Sequence, residues 1–155
     1  MEISVEKTQD IKFNPEYDQK SETFGAMSMA VVRVENYYQA LLRELHRPKE
    51  DIPVATSVLA FVQSQNGVDF ERSGVISVKP GVSSDKLAVE DPTIVKLNGE
   101  YFVFHSAVNP KGHGVEVAIQ LVTGSNLKEL GNKTVILSPK ELKTVFGNVN
   151  IVKEP

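Results

Sequence analysis

The sequence has no cysteine, and this absence excludes a disulfide scaffold, a thiolate nucleophile and a thiolate zinc site. It also has no excess of basic residues, since 17 Lys and Arg stand against 20 Asp and Glu and give a net charge of −3. Binding to a phosphate backbone requires a basic stripe. We therefore expect no nucleic-acid partner.

Long apolar runs are absent as well. The first twenty residues are acidic and contain no apolar signal-peptide core, and no apolar stretch reaches the length of a membrane span. We expect a cytoplasmic protein with no membrane partner. The chain has 155 residues, and 41% of them are hydrophobic. This is enough for one domain with a packed core.

The chain repeats itself at a spacing of 63 residues. Residues 28–43 (SMAVVRVENYYQALLR) align without gaps on residues 91–106 (DPTIVKLNGEYFVFHS). Each copy has two apolar stretches around a short polar turn, which is Asn98-Gly99 in the second copy. Asn-Gly between apolar runs predicts a β-hairpin with a type I′ turn, because that turn needs positive φ at both central residues.

A second match follows at a spacing of 60. Residues 54–70 (VATSVLAFVQSQNGVDF) align on residues 114–130 (GVEVAIQLVTGSNLKEL), with alternating apolar residues and an Asn in each turn, Asn66 and Asn126. Each repeat therefore contains a hairpin, a third strand, a polar turn and a fourth strand. Four short strands per repeat is typical of a propeller blade. The predicted fold class is all-β, a β-propeller with about two four-stranded blades in this chain.

The repeats divide residues 1–155 into four parts. We expect an N-terminal segment at 1–23, a first blade at 24–89, a second blade at 90–152 and the start of a third blade at 153–155. A propeller needs about four to eight blades to close. The expectation is therefore a fragment without its C-terminal blades, or a chain that forms a homo-oligomer.

One short helix is predicted between blades. Ser138 and Glu141 have the spacing of a capping box, and Pro139 stands at the first helical position. These signals predict a helix over residues 141–146.

A family resemblance rests on residues 90–102 (EDPTIVKLNGEYF). This segment resembles the five-bladed propeller glycosidases, most closely the family 130 mannoside phosphorylases and mannosidases, with relation to families 43 and 32. Leu41-Leu42-Arg43 at the end of a strand and the turn at residues 64–70 (SQNGVDF) support the resemblance. It covers about residues 24–155.

The resemblance implies an enzyme part that cleaves glycosidic bonds of a mannoside-like oligosaccharide, as an inverting phosphorylase or hydrolase. It implies no cofactor, and inorganic phosphate as co-substrate of a phosphorylase. The sequence departs from the family pattern at Thr93, where members have Arg, and at Ser28-Met29, where members have Asn-Pro. These departures favour the alternative, a non-catalytic carbohydrate-binding or degenerate propeller module.

Asp91 is the candidate catalytic residue. From the residues alone, it is either an acid at the start of an innermost strand, able to protonate a glycosidic oxygen, or a cap of the Asp-Pro turn. The resemblance implies the catalytic role, with the proton relayed through a sugar hydroxyl. Glu90 and Ser28 are candidate substrate-binding residues beside it.

Two further candidates are basic. Arg43 can form forked hydrogen bonds to a sugar or phosphate, or it can pair with Glu44. His105 interrupts an apolar strand and can donate to substrate, or it can be a structural residue. His46 and His113 have no partner at ligand spacing, so no metal site is predicted.

Overall fold

A computed structural model of the protein describes residues 12–13, 23–48, 55–81, 85–112 and 114–146. Nine strands and one short helix make up this part of the chain. The predicted all-β class is therefore confirmed. The predicted third-blade start at 153–155, most of the segment 1–23 and His113 lie outside the described residues.

The first repeat forms one four-stranded antiparallel unit. Its strands follow each other in chain order, and each pairs with the next: β2 (Thr23–Val34), β3 (Tyr37–His46), β4 (Thr56–Ser64) and β5 (Asp69–Val78). The short strand β1 (Lys12–Phe13) lies parallel to β5 at the outer edge.

The second repeat forms a unit of the same kind. Its strands are β6 (Ala88–Leu97), β7 (Glu100–Lys111), β8 (Gly114–Gly124) and β9 (Thr134–Leu137), and helix α1 (Pro139–Phe146) follows them. One parallel pair, Ser57 with Ala88, joins β4 of the first unit to β6 of the second. The strands thus belong to one hydrogen-bonded sheet.

The two inner hairpins have the same register. Val34 pairs with Tyr37 and Leu97 pairs with Glu100, so each loop has two residues. In the second loop Asn98 has a φ of 52° and Gly99 a φ of 84°, which confirms the predicted type I′ turn.

Both inner strands also carry an irregularity at the equivalent place. The register shifts between Ala26 and Met29 in β2 and between Glu90 and Thr93 in β6. Proline has no N–H to give to the ladder, so regular pairing cannot run through Pro92. Asp91 is the fourth residue of β6, and the expectation that it opens the strand is corrected: β6 already pairs with β7 from Ala88.

The main core lies between the units. Leu41, Leu59 and Phe61 of the first unit are fully buried and belong to one apolar cluster with residues of the second: Val89, Tyr101, Val103, Val122 and Leu127. A polar contact adds to it, since the Tyr101 hydroxyl donates to Gln39 Oε1 at 2.8 Å.

The fourth strands of the two units differ. Phe70 lies in β5, whereas Leu130, its partner in the sequence alignment, precedes β9. Asn126 and Glu129 form an isolated bridge, and Gly131 N donates to Thr123 O at 2.7 Å. The connection between β8 and β9 therefore runs over residues 125–133, whereas the one between β4 and β5 runs over residues 65–68 only.

Helix α1 begins with the predicted capping box. Ser138 N donates to Glu141 Oε2 at 2.7 Å, and Glu141 N donates to Ser138 Oγ at 3.3 Å. The hydrogen bonds from the Ser138 hydroxyl and amide lower the pKa of Glu141. The helix starts at Pro139, two residues before the predicted range.

Candidate active site

Asp91 lies at the irregular point of β6 with an unusual backbone. Its φ is 49°, a left-handed conformation that costs a non-glycine residue on the order of 1 kcal/mol. A bulge of this kind re-aims a side chain. The Asp91 side chain is 61% exposed, in contrast to Glu90 and Pro92, which are buried.

Arg43 is the centre of the polar cluster beneath Asp91. Its guanidinium Nη2 contacts Glu90 Oε1, Nη1 lies 3.6 Å from Asp91 Oδ1, and Nε donates to Ser57 Oγ at 3.3 Å. The side chains of Arg43 and Glu90 are only 8% and 10% exposed. A buried guanidinium needs such partners, because an isolated buried charge is costly.

Ser28 completes the cluster from β2. Its Oγ donates to Asp91 Oδ1 at 2.9 Å. Asp91 Oδ1 thus faces a hydroxyl donor and a cation, whereas Oδ2 takes part in no hydrogen bond within the described residues. The arrangement holds one oxygen of a largely exposed carboxylate.

Ser57 is a cluster residue that the sequence reasoning missed. It is buried, accepts from Arg43 Nε and donates to Val89 O at 2.9 Å. The sequence did contain a signal for Ser57. Its equivalent in the second repeat is the apolar Val117, so the serine is a polar exception in a strand that is otherwise mostly apolar. Four of the five predicted site residues, Ser28, Arg43, Glu90 and Asp91, come together here.

His105 has different neighbours. It is almost fully buried, its Nδ1 lies 3.2 Å from the Ser106 carbonyl, and its Nε2 has no hydrogen-bond partner among the described residues. Burial lowers the pKa of His105, and the charge of Lys133 adds to this effect, against the Ser106 carbonyl and the charge of Asp85. The imidazole is buried and is not part of the Asp91 cluster.

A second ion pair, which the sequence did not predict, joins the buried Asp85 to the half-buried Lys133. Asp85 is 1% exposed and contacts Lys133 Nζ, and its Oδ1 accepts from Gly81 N at 2.9 Å. The pair connects the loop before β6 to the loop before β9.

The two concave pockets described lie away from this cluster. One of about 360 Å³ is lined by Lys111, Glu116 and residues of α1, and one of about 220 Å³ lies around the Asn66 turn. The Asp91 cluster is instead an open polar patch where the two units meet. Both repeats contribute residues to the cluster, whereas each pocket is lined by residues of one repeat only.

The described part of the chain has neither a metal-binding cluster nor a membrane-spanning helix. It contains no group of three or more His, Asp or Glu side chains placed to hold a metal ion. None of its helices is long and apolar enough to cross a membrane.

Solved structures identify the architecture. The chain is similar to β-1,2-mannobiose phosphorylase from Listeria innocua, with a TM-score of 0.61, 16% identity, and coverage of 81% of this chain and 47% of that one. It is similar to a family 117 glycoside hydrolase from Zobellia galactanivorans, with a TM-score of 0.64, 14% identity, and coverage of 85% and 43%. The chain has the fold of the propeller glycoside hydrolases.

A family 32 β-fructofuranosidase from Bombyx mori matches too, with a TM-score of 0.56, 18% identity, and coverage of 76% of this chain and 24% of that one. The predicted resemblance to propeller glycosidases and mannoside phosphorylases is thus confirmed at the level of the fold. No family model matches the sequence, and no curated protein sequence matches it either. The chain spans about a quarter to a half of the length of these three structures.

Proposed function

We propose that this chain is part of a carbohydrate-active enzyme that cleaves a glycosidic bond, with Asp91 as the proton donor. The observation that carries the proposal is the cluster at Asp91. A hydroxyl and a guanidinium of the first repeat, from Ser28 and Arg43, hold one carboxylate oxygen of Asp91 in the second repeat, and the Asp91 side chain is 61% exposed. The propeller glycoside hydrolase fold supports the same class of chemistry.

In this proposal a protonated Asp91 gives its proton to a sugar hydroxyl, and that hydroxyl passes its own proton to the glycosidic oxygen as the bond to the anomeric carbon breaks. Phosphate or water then attacks the anomeric carbon from the opposite face, which inverts its configuration. The substrate class is a mannoside-like oligosaccharide. A hydrolase would need a second carboxylate to activate water, whereas a phosphorylase would use phosphate itself.

The geometry suggests a revised role for two residues. Arg43 and Glu90 are buried and bound to each other, so we propose that they position Asp91 rather than contact substrate directly. Ser28 and Asp91 are then the groups of the cluster that meet the sugar. The five-bladed ring and the blade ranges 24–89 and 90–152 are part of the same proposal.

A second candidate function is a non-catalytic carbohydrate-binding module. Thr93 is exposed next to the site where the resemblance places an Arg, and Ser28 stands where it places Asn. Both changes remove groups that would contact sugar or phosphate. In this alternative the cluster binds a sugar hydroxyl without transferring a proton.

The test compares Asp91→Asn with Asp69→Asn, a matched change at an exposed acid outside the cluster. The full chain is incubated with β-1,2-mannobiose with and without inorganic phosphate, and the released monosaccharide and sugar phosphate are measured. The enzyme proposal expects product from the wild type and D69N and at least about a hundredfold less from D91N. Sugar binding without product would favour the binding module.

A further inference from the structure

An exposed aromatic ring lies in the same strand as Ser28. Phe24, the second residue of β2, is 37% exposed. The guanidinium carbon of Arg47 lies 5.6 Å from the centre of the Phe24 ring, a distance at which a cation–π contact holds the two groups together. Arg47 covers one face of the ring, and the exposed part of Phe24 can contact a ligand.

The hairpin of β2 and β3 places this pair at a definite distance from the Asp91 cluster. Phe24 precedes Ser28 by four residues, and Arg47 follows Arg43 by four residues. Because the two strands are antiparallel, both steps lead toward the same end of the hairpin. Four residues of strand span roughly 13 Å. A chain of several sugar units can cover this distance, whereas a single sugar ring cannot.

The pair and the cluster lie on the same face of the hairpin. β3 pairs with β4 without a register shift, so Arg43 and Leu45 point to one face, and Arg47, two residues further on, continues the alternation. Arg43 contacts Asp91 on this face. Because Arg47 lies over the ring of Phe24, the ring is on this face as well.

The surface between the pair and the cluster is low. Gly25 and Leu45 are directly opposite each other in the two strands, and both are half-buried. Gly25 has no side chain, and a Cβ at this position would lie 3.3 Å from Leu45 Cδ1. The hairpin therefore forms a floor of backbone and one leucine side chain, with Phe24 at one end and Ser28 at the other.

The pair also breaks the internal repeat, as the residues of the Asp91 cluster do. The spacing of 63 residues places Leu87 at the position of Phe24 and Pro110 at the position of Arg47. Neither of these residues has a flat ring or a side-chain hydrogen-bond donor. The common strand pattern of the two units therefore does not require the aromatic and guanidinium groups at this end of the first unit.

We propose that Phe24 and Arg47 form a further sugar subsite, which binds a distal unit of an oligosaccharide whose reacting bond lies at Asp91. The inference rests on the proposed function and adds that the preferred substrate is longer than a disaccharide. The apolar face of a sugar ring packs on the flat ring of Phe24, and the guanidinium of Arg47 donates to hydroxyl groups at its edge.

The test compares two probes, β-1,2-mannobiose and β-1,2-mannotetraose, by NMR titration of the full chain. We expect the wild type to bind the tetrasaccharide about tenfold more tightly than the disaccharide, as for one added aromatic contact. Phe24→Leu introduces the residue of the second repeat and keeps an apolar side chain at the start of β2. It should abolish the difference between the probes and leave the Kd of the disaccharide unchanged.

Two further variants serve as controls. Phe24→Tyr keeps the aromatic ring and should retain the preference for the tetrasaccharide. Val31→Ala changes another exposed apolar residue of β2, which is 39% exposed, and should retain it too.

The outcomes separate the subsite from the proposed function. Equal affinity of the wild type for the two probes, or an undiminished preference in F24L, would overturn the subsite and leave the sugar site at Asp91 in place. If neither probe bound to the wild type, the proposed function and the subsite would both be overturned.

Discussion

Ser28 and Asp91 occupy equivalent positions in the two repeats and are hydrogen-bonded to each other, with Ser28 Oγ 2.9 Å from Asp91 Oδ1. Each lies at the irregular point of an inner strand. Two carboxylates this close would repel and perturb each other's ionisation, whereas a hydroxyl can donate to a carboxylate. Because the first repeat has serine where the second has aspartate, the two equivalent positions can form one hydrogen-bonded site.

The ion pair beneath this site should be important for folding. Glu90→Gln removes the charge that neutralises the buried Arg43 guanidinium, and we expect a loss of about 3 kcal/mol in the free energy of unfolding. Urea denaturation followed by circular dichroism measures it. The control is Glu116→Gln, which removes the partner of the exposed Lys111 and should cost under ~1 kcal/mol. Equal losses would contradict a special role for the buried pair.

A double variant separates stability from positioning. Arg43→Met with Glu90→Leu removes both buried charges, so it should be more stable than Glu90→Gln alone. If Arg43 and Glu90 orient Asp91, this stable variant should nonetheless lose sugar binding at Asp91. Retained binding would show that the pair is only structural.

His105 should make stability depend on pH. Because burial lowers the pKa of His105 in the folded protein, the unfolded chain binds more protons below its ordinary pKa of about 6.5. The contribution of His105 to the free energy of unfolding is fully present above pH ~6.5, and it is lost as the pH falls toward the lower pKa that His105 has in the folded protein.

The test is a set of urea denaturations between pH 7.5 and about 5. His105→Leu, which introduces the residue found at the equivalent first-repeat position, Leu42, should flatten the dependence in this range. His46→Gln serves as the control and should leave the slope due to His105 in place. An unchanged slope in H105L would refute the assignment.

The first hairpin turn can be improved. Glu35 has a φ of 52°, which asparagine and glycine tolerate better than glutamate does. Glu35→Asn introduces the residue found at the equivalent position of the second hairpin, Asn98, and we expect a gain of about 0.5–1 kcal/mol in the free energy of unfolding. The converse change, Gly99→Ala at a φ of 84°, should reduce the melting temperature. A loss of stability in Glu35→Asn would contradict backbone strain at Glu35.

The capping box should be visible in a titration. The pKa of Glu141 is lowered by its hydrogen bonds with Ser138, so this contribution to α1 is present above the ordinary Glu pKa of about 4.3 and lost as the pH falls through the lowered value. NMR titration of the Glu141 side chain measures the shift. In Ser138→Ala the pKa should move back toward the ordinary value, and no movement would exclude the cap as its cause.

Agreement between the copies made the fold predictable. Val32 with Val95 and Phe61 with Leu121 repeat the same apolar pattern, because each unit must bury the same face of its sheet. The tight turn at Asn98-Gly99 followed from the φ values that Asn and Gly permit. The late start of β9 could not be predicted in this way, because the connection before it contains a hydrogen bond from Gly131 N to Thr123 O that no turn motif in the sequence specifies.

The site is found where the copies differ. Arg43 aligns with Ser106, Ser57 with Val117 and Asp91 with Ser28, and each break of the repeat places a polar group at the junction of the units. Sequence could nominate Arg43 and Asp91 as separate candidates. The sequence could not show that Arg43 forms a buried ion pair with Glu90, because that contact depends on how the two units pack.

The most direct test of the account is an NMR titration of the full chain with β-1,2-mannobiose up to ~10 mM, a concentration well above the Kd of about 1 mM expected of a weak site. We predict saturable shifts of the Ser28 and Asp91 amides, which Asp91→Asn abolishes and Asp69→Asn preserves. Shifts centred elsewhere, or identical in D91N and the wild type, would contradict a carbohydrate site at Asp91.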